Sequence, residues 1–98
     1  MKRLLIPFIA LALCQPAHAS IDIAKIQAPK IQRHLDAIAP LAEKGLYNAA
    51  CSEAASAELL IRLNYSALTS IDPLWADLYA NTMAIGQNLC GPYHPQFN

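Results

Sequence analysis

The stretch Ser70-Ile71-Asp72-Pro73 divides the second half of the chain, and its reading decides the fold. Asp72 stands where a helix N-cap belongs and Pro73 where the first helical residue belongs. Proline suits that place because its ring fixes φ near the helical value and its missing N–H would find no partner in a first turn anyway. Helix is therefore expected on both sides. Upstream, Asn48 is the expected cap of a helix over about residues 49–70, and the alanine-rich run from Ala49 to Ala57 favours it. Downstream, a helix is expected over about residues 73–90. Leu74, Trp75, Leu78, Thr82, Ile85 and Leu89 fall on one side of it, and the small or polar Ala80, Asn81, Ala84, Gln87 and Asn88 on the other. Gly91-Pro92 ends it.

Two cysteines check this pair of helices independently. From Cys51 to Ser70 is about 29 Å of helix and from Pro73 to Cys90 about 26 Å, at 1.5 Å per residue. An antiparallel hairpin turning near residue 71 thus brings Cys51 level with Cys90, and the pair reads as a disulfide at the hairpin's open end. A loop of about 40 residues closed in this way contributes roughly 4 kcal/mol by the chain-entropy argument. Two cysteines 39 residues apart do not read as a metal site, which needs about four ligands at short spacings.

A first helix is expected over about residues 29–44, packed across the hairpin. Ile31, Leu35, Ile38 and Ala42 form its apolar stripe, Arg33, Asp36 and Lys44 lie opposite, and Gly45 is its stop. Pro40 falls on the solvent side, where a kink bends the helix around its core. Residues 20–28 read as an arm, since Ile21, Ile23 and Ile26 do not share a face with that stripe and Pro29 should break or start a helix. Residues 92–98 read as a flexible, proline-rich tail. The architecture expected is all-α: a small disulfide-stapled helical hairpin with one helix across it.

The middle helix is unusual in carrying two apolar faces. Leu59, Leu60, Leu63 and Ala67 make one, and Ala50, Ala54, Ala57, Ile61 and Leu68 the other. A narrow polar strip with the i,i+4 pair Glu58 and Arg62 runs between them. Such a helix needs two neighbours, or one neighbour and a partner protein. Tyr65 lies near the polar strip, where neither apolar face requires it, and is the first candidate for partner contact. Trp75 and Tyr79, one turn apart, read first as ordinary core; their other use is as further contact candidates, because Trp and Tyr dominate many interfaces.

At the other extreme of the chain, Lys2-Arg3, an apolar run from Leu4 to Leu13 and the small-x-small triplet Ala17-His18-Ala19 have the order of a secretory signal peptide, with cleavage expected before Ser20. The run is too short to cross a bilayer core of about 30 Å as a helix, so no transmembrane segment is expected after cleavage. Leu11-Ala12-Leu13-Cys14 offers a rival reading, since it resembles a lipoprotein box with Cys14 as the acylated residue. It departs from that pattern at Leu13, where a small side chain is expected. Either route describes a small exported bacterial protein, soluble in the periplasm or anchored through Cys14.

Composition narrows the function classes. The whole chain is formally neutral. Residues 20–98 carry Lys25, Lys30, Arg33, Lys44 and Arg62 against four aspartates and three glutamates, for a net charge of −2. Clustered cations are absent, so nucleic acid is not an expected partner. No glycine-rich phosphate loop is present. Glu53 with Glu58, and Asp72 with Asp77, are spaced by five and turn away from a common helical face. His34 reads as a half-buried edge residue, and His94 stands in the tail beside Tyr93 and Phe97. No catalytic, metal or cofactor site is expected. The sequence points instead to a non-catalytic protein that binds another periplasmic or envelope protein, of immunity or inhibitor type or an accessory to secretion or conjugation. A periplasmic chaperone of stress type, or less readily a small hydrolase, is the alternative.

Overall fold

In a computed structural model, the backbone is described over residues 2–91 and 95–97, and side chains over residues 21–91 and 96–97. The described residues form four α-helices, α1 (Lys2–Glu43), α2 (Tyr47–Leu63), α3 (Tyr65–Ile71) and α4 (Leu74–Cys90), followed by a 3-10 turn over Pro95–Phe97. No strand occurs among them. The fold is all-α, and α1 packs across α2, which α4 flanks in turn. A disulfide joins Cys51 near the start of α2 to Cys90 at the end of α4, with Cα atoms 5.1 Å apart.

The segment 20–28 is not an arm. It belongs to α1, and Ala24 within it is fully buried. Ile21, Ala24, Ala28, Ile31, Leu35, Ile38 and Ala42 recur at alternating intervals of three and four, the spacing of a seam that faces a partner helix throughout. Pro29 is exposed and sits inside the helix. It removes one backbone hydrogen bond, and the buried residues on either side of it hold the two turns in line. Of the three isoleucines that argued for an arm, Ile21 packs on the seam after all, and only Ile23 and Ile26 face solvent.

Gly45 stops α1 as expected. Its φ of 76° is open to glycine alone without strain. The Gly45 N–H donates to the Ala42 carbonyl (3.0 Å) and the Leu46 N–H to the Leu41 carbonyl (2.9 Å), the paired bonds of a Schellman ending. From there α2 starts at Tyr47, one residue ahead of its expected cap, so Asn48 lies in the first turn and makes no cap.

The expected helix over 49–70 is two helices. At Asn64 the side-chain amide donates to the Leu60 carbonyl (2.8 Å), competing for an acceptor of the helical ladder. The chain breaks there and resumes as α3, which buries Ala67 and Leu68 against α1 and α2. The turn that follows matches its sequence signal: the Asp72 carboxylate accepts the Leu74 N–H at 3.0 Å, and α4 begins immediately after Pro73.

Two apolar clusters make the core. Ala24, Ile31, Ala57, Ile61, Ala67 and Leu68 form one, nearer the α3–α4 turn. Ile38, Ala50, Ala54 and Phe97 form the other, nearer the disulfide. Of the two apolar faces read over 49–70, one is buried throughout and the other only at Ala67 and, in part, Leu60. Ala50, Ala54, Ala57 and Ile61 meet α1, whereas Leu59 and Leu63 are exposed, Leu63 to 68%. In α4 the buried face runs through Thr82 and Gly86, with Trp75, Tyr79 and Met83 half-buried, and Leu74 and Ile85 stand in solvent. The helix is turned by about one residue from the stripe expected. The tail is likewise docked where it is described, since Phe97 is only 1% exposed.

Candidate functional site

Two features organise the polar chemistry of the hairpin, and Glu58 is the first. Its side chain is 1% exposed, between α2 and α4 rather than on a solvated strip. Burying a carboxylate is costly unless its oxygens are paired, and this one has three donors. Arg62 Nε reaches it at 3.0 Å, the Tyr79 hydroxyl at 2.8 Å and Gln96 Nε2 at 2.7 Å. Arg62 keeps its guanidinium toward water, so the i,i+4 pair read from the sequence is present with one end buried. Burial, and then the hydrogen bond to Glu58, raise the Tyr79 phenol above the ordinary tyrosine value of 10.0.

The tail supplies the second feature. Phe97 lies over Gly86, where any Cβ would collide with its ring. Gln96 Nε2 also donates to the Ala55 carbonyl (2.6 Å), and Gln87 Nε2 donates to the Phe97 carbonyl (3.0 Å). Tyr93 and His94 lie outside the described residues.

The three candidate contact residues are brought close together. Tyr65 is 38% exposed and sets its ring edge-on to Tyr79, with centroids 5.5 Å apart. Tyr79 and Trp75 both pack on the cluster around Ala24 and Ile61. Trp75 also lines a cavity of about 200 Å³ with Gln32 of α1 and Asp72, Leu74 and Leu78. That space admits one bulky side chain and falls short of the roughly 300–1,000 Å³ typical of a small-molecule pocket. Leu74, 68% exposed, and Ile85 stand on one flank of α4, three turns apart with Leu78 between them.

His34 Nδ1 pairs with Glu53 at 2.5 Å, tying α1 to α2 with both side chains half-buried. It borders a shallow pocket of about 260 Å³ with Lys30 and Arg33. Cys51 and Cys90 are oxidised and offer no thiol nucleophile. Among the described residues no group of three or more His, Cys, Asp or Glu side chains is placed to hold a metal ion, and no helix is long and apolar enough to cross a membrane.

Sequence reasoning missed the docked Phe97, the buried Glu58 and the His34–Glu53 pair. Glu58 carried a signal, since it follows Ala57 directly at the edge of the buried α2 face. Phe97 carried little, because a single aromatic among prolines has no period. No known protein family, no curated protein and no solved structure matches this chain.

Proposed function

We propose that this is a small exported, non-catalytic protein that binds another protein of the periplasm or cell envelope. The observation that carries the reading is the uncovered apolar flank at the α3–α4 turn. Ile71 and Leu74 stand in water there, beside the half-buried Trp75 and the Tyr65–Tyr79 pair. Large apolar side chains exposed together, next to aromatics and a cavity sized for one side chain, suit a protein partner that inserts an apolar anchor. Export is supported by the order of the first nineteen residues, and the disulfide is compatible with an oxidising compartment. Inhibitors, immunity proteins and accessories of secretion or conjugation are roles of this kind.

A photo-cross-linker at position 71, used in the exporting cell, tests the reading. One recurrent partner is expected, with capture lost on Leu74→Ser or Tyr65→Ala while the fold is kept. Capture of many unrelated unfolded chains would favour the chaperone alternative, and capture of nothing would overturn the reading.

A further inference from the structure

We propose that the slot holding Phe97 is a recognition site for an amide–aromatic segment, filled in cis by the chain's own Gln96-Phe97 and open in trans to the same segment of a second copy. The slot's apolar part is specific for a ring. Gly86 lies inside α4, where glycine is less favourable than alanine, and the space it leaves is the space the ring occupies. Ala50 and Ala54 of α2, with Met83 and Leu89 of α4, complete the apolar surroundings.

The polar part fixes which segment fits and in which direction it lies. The Gln96 amide donates to both the Ala55 carbonyl and Glu58, and the Gln87 amide takes the carbonyl of Phe97 from the other side. Glu58 therefore serves as a buried acceptor for an incoming amide. Because α2 and α4 are joined through Cys51 and Cys90, the slot's two walls stay together when the segment leaves. A preorganised slot of this kind binds without the cost of assembling its walls.

In the native chain the tethered segment has an effective concentration of order millimolar, as for any short link, so the single-chain form dominates. Each copy offers one slot and one segment, so exchange between two copies closes into a symmetric dimer. This site adjoins the surface assigned to the envelope partner only through the Tyr79–Glu58 hydrogen bond, and the two readings have separate tests.

Two complementary variants test the exchange. Gly86→Leu closes the slot and releases a usable segment, while Phe97→Ala leaves the slot open and disables the segment. Each alone is expected to sediment with the mass of one chain, and their mixture with the mass of two. A peptide of residues 91–98 is expected to bind the Phe97→Ala protein, and the same peptide carrying Phe97→Ala is not. If Phe97→Ala is unfolded by itself, recovery of its helical circular dichroism on adding the wild-type peptide supports the site equally. Either the two-chain mass or peptide capture supports the proposal. A mixture with only single-chain mass, together with a peptide that neither binds nor refolds the variant, overturns it.

Discussion

At the disulfide end, α2 and α4 are joined covalently, lined with Ala50 and Ala54 and closed over Phe97. At the turn end, α3 and α4 are linked through Asp72 and Pro73, touch through the Tyr65–Tyr79 pair, and leave Ile71 and Leu74 in water. The contrast extends to polar groups. Glu58, between the two ends, has all its donors inside the protein, whereas Asp72 holds a single backbone N–H at an exposed turn. One end is built from small side chains, satisfied hydrogen bonds and a cross-link, all of which raise stability. The other leaves Ile71 and Leu74 exposed, although exposed apolar side chains are not confined to it, since Leu46 and Tyr47 stand in solvent at the start of α2, near Cys51.

Four measurements sharpen or break this contrast. The largest expected effect is Phe97→Ala, at about 3–5 kcal/mol for removing a buried aromatic, read by urea denaturation. A loss under about 1 kcal/mol on that scale would mean that the disulfide end does not depend on its plug. Next come Cys51→Ser and Cys90→Ser, each costing about 2–5 kcal/mol. The double variant is expected to be no worse than either single one, since the same bond is lost in all three.

Tyr79→Phe should cost about 1–3 kcal/mol, the range for a hydrogen bond to a charged acceptor. It also has a pH signature. The Tyr79 phenol is held above 10.0 in the folded state, so its contribution is complete below the unfolded value and lost as pH rises through the folded one. The variant should therefore lose stability less steeply in alkali than the native chain, and parallel curves would remove Glu58 from the account. Smallest of all are the turn-end changes. Tyr65→Ala should cost at most about 1 kcal/mol, for its edge-on contact with Tyr79, and Leu74→Ser should stay within about 0.5 kcal/mol. Both should nevertheless weaken partner capture. A loss of several kcal/mol with unaltered affinity would make Tyr65 part of the core.

Regular, local signals carried most of the fold. The Asp72-Pro73 turn, the Gly45 stop and the level match of Cys51 with Cys90 each depend on one or two residues with a fixed geometric meaning. Where reading failed, a small residue or a distant contact decided the outcome. Ala24 and Ala28 extend the α1 seam, but the bulkier Ile23 and Ile26 drew attention to the wrong face. Asn64 divides a helix through a side-chain hydrogen bond that no apolar period records. The rotation of α4 follows from Gly86 and Phe97, eleven residues apart, which only the folded chain brings together. The partner candidates were legible as residue types, and their mutual contact was not.

The seat of Phe97 also sets an order of assembly. Its ring lies on Gly86 of α4, in one cluster with Ala50 and Ala54 of α2, so the seat has no walls until α2 and α4 are side by side. The helical hairpin therefore forms before the last turn docks, and the disulfide between Cys51 and Cys90 holds the two walls in register. Docking of Phe97 is in that sense a readout of correct maturation, and its burial marks a chain that has finished folding.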